Sequence, residues 1–393
     1  MLEFFEHLDA VCRRGEPVVL ATVVGIEGGS SSRIGSRMFV TMDGRRLGSL
    51  TVGGCVDGRA AEEAVGILDD GRPRQIHVRL GEDEPTFGMS CAGVVHVYIE
   101  RVDEQAAELR AFARVRSLIQ GGARAAAVTP LDGRADRFVV SGSESGVPWP
   151  DVVETAQAAL VSERAVLCPA SGDRPEIFIQ PFMPPPRLIV VGTGPVAGPL
   201  VRLADRSGYH TTLIDGNEID GFEEAGERIV GIPSEICREL DLDERCAVVI
   251  AAHDYKYEVP VLREVLGREV GYVGFLASRR RGEAVLRFLE TTGVDADLLQ
   301  TVRVPVGLDV GAETPAEIAV SILAEMLAVR SGRPGTPLRT KQASGQASGQ
   351  ASGQASEQAS EQASGQASGQ ASEQASEQAA NHAAKESAGA RRG

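Results

Sequence analysis

The chain has 393 residues, with 40 lysines and arginines against 55 aspartates and glutamates, and its formal net charge is −15 at pH 7. The last 63 residues are nearly neutral, so the preceding 330 carry about −16. Such an acidic body is a poor electrostatic match for nucleic acid or an anionic membrane surface, and we exclude nucleic acid as a partner. Hydrophobic residues make up 42%, which is enough for two domain cores in a chain of this length.

The first residues have no basic stretch ahead of an apolar one, and no apolar run approaches the roughly 20 residues that a bilayer span requires. The six cysteines include no Cys-x-x-Cys pair and are too few for a disulfide scaffold in a chain this long. These patterns predict a reduced, cytoplasmic protein without a membrane span.

Two changes in composition divide the chain. Three consecutive prolines within 180–187 favour an extended connector. The repeats Ala-Ser-Gly-Gln and Ala-Ser-Glu-Gln over 342–378 contain no large apolar residue whose burial could offset the entropy lost on ordering. We therefore predict an amino-terminal domain over 1–183, a carboxyl-terminal domain over 184–330 and a disordered tail over 331–393.

Apolar periodicity predicts a mixed α+β fold for the first domain. In chain order the predicted elements are a helix ending near residue 15, a buried strand over 18–24, a hairpin of 36–41 and 46–52 around Asp43-Gly44, a helix over 60–68, strands over 76–80 and 95–99, and a largely helical, alanine-rich stretch over 104–165 around an uninformative loop.

The second domain alternates short apolar strands with helical segments, which predicts right-handed crossovers and a parallel, doubly wound, Rossmann-like sheet. The predicted strands are 188–191, 211–214, 228–230, 247–251, 272–274 and 302–306.

A glycine fingerprint follows the first of these strands. Gly192 permits a tight turn, Gly194 lets a phosphate approach the backbone, and Asp215 ends the next strand 23 residues after Gly192, where a ribose-binding acid belongs. The pattern predicts nucleotide or phosphate binding, with NAD(P) as one ligand. A close-packed turn that binds no nucleotide is the alternative.

Two stretches of the first domain are rich in glycine and bear reactive groups. Between 27 and 37, a serine- and glycine-rich loop with Arg33 and Arg37 could bind a phosphate or an oxyanion, although a plain connecting loop has the same composition. After Gly53 and Gly54, Cys55 precedes a helix whose dipole favours the thiolate, so that it is a candidate nucleophile or metal ligand.

A second thiol, Cys91, also has glycine neighbours, whereas Cys12, Cys168, Cys237 and Cys246 are interpreted as small buried residues. In the second domain His253, Ser278 and Arg279 follow predicted parallel strands, at the edge where open α/β sheets bind ligands. Helix capping and a solvated basic face are the alternatives for these three residues.

Several of these motifs together resemble the XdhC/CoxI family. The motifs are Gly-Gly-Ser-Ser-Ser-Arg-Ile-Gly-Ser-Arg-Met-Phe-Val, Gly-Ser-Leu-Thr-Val-Gly-Gly-Cys-Val-Asp-Gly, Pro-Pro-Arg-Leu-Ile-Val-Val-Gly-Thr-Gly, Gly-Phe-Leu-Ala-Ser-Arg-Arg-Arg and the segment from Val306 to Ala319. The likeness spans roughly residues 10 to 330. Two departures are Pro195, where the family often has histidine, and Met-Ser-Cys-Ala-Gly around Cys91 in place of Cys-Gly-Gly.

The resemblance implies a carrier of the molybdenum cofactor, a maturation factor rather than a turnover enzyme. Family members bind this molybdopterin, in some cases as the cytosine dinucleotide, protect it while an oxo group is replaced by sulfur, and help insert it into a hydroxylase such as xanthine dehydrogenase or carbon monoxide dehydrogenase. Implied partners are the apo-hydroxylase, a cysteine desulfurase and a cytidylyltransferase, and a homodimer is a further expectation.

Combining the resemblance with the residues, we expect Cys55, with Cys91 nearby, to face molybdenum across the domain interface, while the Rossmann cleft holds the phosphate or nucleotide end. Two alternatives stay open. One is an NAD(P)-dependent oxidoreductase, and the other is an assembly factor that docks a hydroxylase without a cofactor of its own.

Overall fold

The structure is a computed structural model that describes residues 2–28, 32–52, 54, 56–80, 93–103, 106–133, 137–142, 146–219, 221–223, 225–252 and 254–338. The candidate residues Gly53, Cys55, Cys91 and His253 lie outside these ranges, and so does the predicted disordered tail from residue 339 onward.

The amino-terminal half contains two antiparallel sheets, with strand orders β3-β2-β1-β5-β4 and β7-β6-β9-β8. Its elements are α1 (Leu2–Cys12), β1 (Val18–Gly28), β2 (Arg37–Thr41), β3 (Arg46–Gly48), α2 (Asp57–Asp70), β4 (Arg74–Leu80), β5 (Gly93–Val102), α3 (Ala107–Gln120), β6 (Ala125–Pro130), β7 (Phe138–Val140), α4 (Pro150–Ser162), β8 (Val166–Cys168) and β9 (Ile177–Phe182).

Strand β1 lies at the centre of the five-stranded sheet, and both of its faces are buried. Val19, Ala21 and Val23 pack with α2 on one face. Leu20 belongs to a core shared with α1 and α3, on the face that also meets the four-stranded sheet, and Val24 contacts that sheet further along. This burial on both sides explains why the sequence of β1 is an unbroken apolar run rather than an alternating one.

The predicted helical stretch over 104–165 is wrong in its middle. The structure ends α3 at Gln120 and then forms β6, β7 and finally α4. The alanines of β6 suit a helix by propensity, but Ala125–Val128 are buried between β7 and β9. Packing against these strands outweighs the intrinsic preference. Residues 180–182, predicted as part of a connector, are the end of β9.

The carboxyl-terminal half has the predicted Rossmann-type fold. Its six parallel strands follow the order β12-β11-β10-β13-β14-β15, the arrangement of dinucleotide-binding folds. Its elements are β10 (Arg187–Val191), α5 (Ala197–Arg206), β11 (His210–Asp215), β12 (Glu227–Val230), α6 (Pro233–Glu239), β13 (Cys246–Ile250), α7 (Tyr255–Leu266), β14 (Tyr272–Phe275), α8 (Arg279–Thr291), α9 (Ala296–Gln300), β15 (Val302–Arg303) and α10 (Pro315–Arg330).

The two halves meet at the amino-terminal edge of the parallel sheet. Arg245, which directly precedes β13, donates to Glu163 Oε1 and to the carbonyl oxygen of Pro184, both at 2.7 Å. Arg124, just before β6, pairs with Glu244. The division into domains at residues 183 and 184 stays a prediction. Among the described residues, no helix combines the length and apolarity that crossing a membrane would demand.

A buried ion pair links α7 to α8. The Glu258 side chain is fully buried, and Arg281 donates to both of its carboxylate oxygens at 2.8 and 2.6 Å. Because a buried carboxylate is costly without a cation, we expect this pair to be a strong local constraint on the Rossmann-type half.

Arg281→Met should therefore lower the free energy of unfolding by about 3 kcal/mol, near the lower end for a broken buried pair because the Arg281 side chain is 36% exposed. Chemical denaturation measures this difference. The neighbouring, exposed Arg280 provides the control, since Arg280→Met should change stability by less than about 0.5 kcal/mol. Equal effects of the two substitutions would contradict the assignment.

Candidate functional site

The loops that carry the amino-terminal candidates leave from one edge of the five-stranded sheet. Gly28 at the end of β1 pairs with Gly93 at the start of β5, and Leu80 at the end of β4 pairs with the same glycine. An isolated bridge joins Ser32 to Thr51, beyond the end of β3. The chain segments flanking 29–31, 53–55 and 81–92 therefore converge, and we call this region the loop edge.

Asp57 anchors the segment between β3 and α2. Its buried carboxylate accepts hydrogen bonds from Ser49 Oγ at 2.6 Å and from the backbone N–H of Leu50 at 3.0 Å. Gly54 lies between Leu50 and Asp57 in the sequence, and its φ of +69° is a left-handed conformation that favours glycine. The side chain of Val56 is fully buried. Both described neighbours of Cys55 are thus held firmly in the fold.

The two candidate arginines are separated by the structure. Arg33 is exposed beside the loop edge. The guanidinium carbon of Arg37 lies 4.7 Å from the ring centroids of both Phe4 and Phe112, between the sheets, and burial lowers the pKa of Arg37 to about 9. The pairing of Arg37 with Thr22 points its side chain to the inner face, so it does not join Arg33 as an oxyanion clamp.

The glycine turn after β10 has the predicted form, but its acid is already engaged. A Cβ on Gly192 would come within 2.6 Å of the Ala252 backbone nitrogen, so close packing alone requires glycine here. Asp215 Oδ2 accepts from the N–H and the hydroxyl of Thr193, both at 2.9 Å. Its Oδ1 accepts from the N–H of Asn217 at 2.9 Å. A ribose would have to compete with these donors for the carboxylate.

Three further candidates of the Rossmann edge, all among the described residues, have ordinary structural roles or are exposed. Ser278 is the N-cap of α8, its Oγ accepting from the backbone N–H of Arg281, and Arg279 is exposed at the first helical position. Gly194 precedes α5 and its carbonyl oxygen accepts from the N–H of Ala197.

Most of the cysteines set aside in the sequence are buried as predicted, but one is not. Burial raises the pKa of Cys168, and it raises the pKa of Cys237 and Cys246 to about 11, so these thiols stay protonated at neutral pH. Cys12 is exposed, contrary to its interpretation as a buried residue. Within the described ranges, no group of three or more His, Cys, Asp or Glu side chains is arranged to hold a metal ion.

The loop edge and the Rossmann ligand edge both lie at a distance from the junction of the halves. Val18, at the start of β1, shares a core with Phe182 near the junction of the halves, and Gly28 lies ten residues further along β1, about 30 Å away. The Rossmann edge lies at the carboxyl ends of its strands, about 15 Å beyond the junction. The expectation that a single cofactor bridges both sites within one chain stays a prediction.

An antiparallel amino-terminal half joined to a Rossmann-type half defines a two-part protein of the nucleotide-binding fold class. Residues 11–81 match the model of the XdhC and CoxI family, and residues 188–326 match that of the XdhC Rossmann domain. The chain belongs to the XdhC/CoxI family.

Named relatives span nearly the same length. Over 337 residues the chain is 29% identical to a probable xanthine dehydrogenase subunit of Bacillus subtilis strain 168, covering 84% of this chain and 98% of that protein. It is 27% identical over 318 residues to the molybdenum cofactor insertion chaperone PaoD of Escherichia coli K12, covering 80% and 84%. A crystal structure described as a xanthine dehydrogenase from Bacillus halodurans is 26% identical, with a TM-score of 0.68 over 84% of this chain and 97% of that one.

Asp215→Ala should lower the free energy of unfolding by about 1–3 kcal/mol even without any ligand, because the donors of Thr193 and Asn217 lose a buried acceptor. Thermal or chemical unfolding measures the change. Asp205→Ala, which removes an exposed acid from α5, is the control and should be nearly neutral. If Asp215→Ala left the free energy of unfolding unchanged, the carboxylate would not be needed for the fold and would be free to bind a ligand.

Proposed function

We propose that this protein is a molybdenum cofactor carrier that supports sulfuration of the cofactor and its insertion into a hydroxylase of the xanthine dehydrogenase or carbon monoxide dehydrogenase type. The observation that carries the proposal is the convergence of the described segments that flank three loops at the loop edge, one of which is held by Asp57. The chaperone PaoD, whose name gives this kind of role, supports it.

The donor groups near the loop edge suit such a cofactor. Arg33 is an exposed cation for the phosphate of the pterin, and Ser32 adds a hydroxyl. We place the Cys55 thiol at molybdenum as its ligand, with Cys91 and the glycines 53 and 54 beside it. When bound, the cofactor supplies the metal centre whose oxo group is exchanged for sulfur. The chain's task is to hold and shield that centre.

The Rossmann edge is proposed as a second, separate binding surface. Gly192 and Gly194 lie in the turn between β10 and α5, ahead of a helix start where backbone N–H groups can bind phosphate, and Arg279 offers a cation across the sheet edge. His253 and Ser278 complete the candidate set. A cytidine nucleotide of the dinucleotide cofactor or NAD(P) fits this chemistry. Asp215 would become available to either by releasing a donor of Thr193 or of Asn217.

We further propose that the partners are the apo-hydroxylase, a cysteine desulfurase and a cytidylyltransferase, that the protein acts in the cytoplasm, and that it forms a homodimer. An NAD(P)-dependent oxidoreductase is the second candidate function, and the Rossmann strand order favours it. The deciding measurement is the pterin and molybdenum content after co-expression with a complete cofactor pathway. Bound NAD(P) without pterin would favour the oxidoreductase, and a bound hydroxylase without pterin would favour a cofactor-free assembly factor.

Cys55→Ala should reduce the amount of bound pterin by at least about tenfold, because the substitution removes the ligand thiol. Its melting temperature should stay unchanged, because little side-chain volume is removed. The control is Cys12→Ala, which removes an exposed thiol distant from the loop edge and should retain wild-type pterin. Full pterin content in Cys55→Ala would refute the ligand assignment.

Asp57→Ala should reduce pterin retention by roughly tenfold, since it frees Ser49 and Leu50 and loosens the segment that presents Cys55. Pterin per folded protein is the readout, with folding checked by circular dichroism. Glu62→Ala, on the exposed face of the same helix, should have no effect. If both variants retain the cofactor equally, the anchoring role of Asp57 is wrong.

A further inference from the structure

A polar cluster lies buried between the two antiparallel sheets, apart from the loop edge. Arg37, Thr22 and Tyr98 are directly opposite one another on β2, β1 and β5, so their side chains share the inner face. Thr22 and Tyr98 are 5% and 1% exposed. Three polar residues in a row at core positions of a sheet require partners for their donors and acceptors.

Two donors of this row have no partner among the described residues. The Nε of Arg37 is buried and lacks a hydrogen bond, and the buried hydroxyl of Tyr98 lies beside Arg137, from which it can only accept, so that its own O–H has no acceptor. They line one cavity of about 10 Å³, which is about the least space that holds a single water molecule. Burial raises the pKa of Tyr98, so its phenol keeps its proton and is a donor.

Acceptors line the same cavity. Glu100 and Glu108 both face it, and both pair with Arg137, whose side chain is only 4% exposed. Thr22 and Thr129 add hydroxyl groups to the lining. A small ligand that accepts from Arg37 and Tyr98 and donates to these oxygens would satisfy the whole cluster.

The charges select a neutral ligand. Arg37 and Arg137 balance Glu100 and Glu108, and Asp132 lies close enough to add to the rise in the pKa of Tyr98. An anion would therefore bring an uncompensated negative charge into the core, and a cation would face two donors. Water, with two donor and two acceptor positions, matches the set.

We propose that one water molecule occupies this cavity and joins Arg37 and Tyr98 to the Glu100–Arg137–Glu108 ion network. It lets an arginine at the base of the serine-rich loop stay charged between three phenylalanine rings and the second sheet. The proposal does not depend on cofactor binding.

Tyr98→Phe tests it by the sign of the change in Tm. If water bridges the hydroxyl, the substitution should lower Tm by about 2–4 °C, because a made hydrogen bond is lost. The matched control is Tyr272→Phe, which removes a buried hydroxyl that donates to Glu325 at 2.7 Å and should lower Tm to a similar extent. A Tm that stays level or rises in Tyr98→Phe would overturn the proposal, because it would mean that the native hydroxyl is unpaired.

A crystal structure of the full chain that resolves ordered solvent gives an independent test, whether or not the variant folds. The expected result is one solvent peak within about 3 Å of both Arg37 Nε and the Tyr98 hydroxyl. A dry cavity overturns the proposal. An anomalous peak there after a bromide soak also overturns it, since an anion would then be the ligand.

Discussion

The pairing register of β1 with β2 and β5 is the constraint on which the amino-terminal half depends. Strand side chains alternate between faces, so a shift of one residue would turn Val23 toward the polar cluster and Thr22 toward α2. The same register sets Gly28 beside Gly93 and thereby brings the loops of the candidate site to one edge. Core composition and site assembly are two results of one alignment of strands.

Local patterns were sufficient to predict much of the architecture. The predicted Rossmann strands are short apolar runs, most of them separated by helical segments, and all six were found where the sequence placed them, although β15 ends at Arg303, sooner than expected. The Gly192 turn and Asp215 were also placed correctly, because strand, turn and acid are close in sequence. The alanine-rich β6 was missed since its strand character comes from its neighbours β7 and β9, which the local sequence does not reveal.

The site residues that escaped prediction depend on distant partners. Arg37 follows a serine-rich loop and looked like part of it, but its direction is fixed by Thr22, fifteen positions earlier. Asp57 resembles an ordinary acid of a first helical turn until Ser49 and Leu50 are seen to donate to it. The sequence gives only a weak signal for Asp57, which is an acid among apolar helix positions. Whether its side chain is buried is decided only when the elements pack.

We propose different tasks for the loop edge and the Rossmann edge. Glu218 and Glu223 are exposed on the loop after Asp215, where a bound phosphate would meet their negative charge, whereas Arg279 is exposed at the start of α8. At the loop edge Arg33 is exposed, and the acid Glu27 contacts His96 Nε2 at 3.2 Å. We therefore propose the loop edge for the anionic cofactor, and the Rossmann edge for a ligand that is bound mainly by backbone N–H groups.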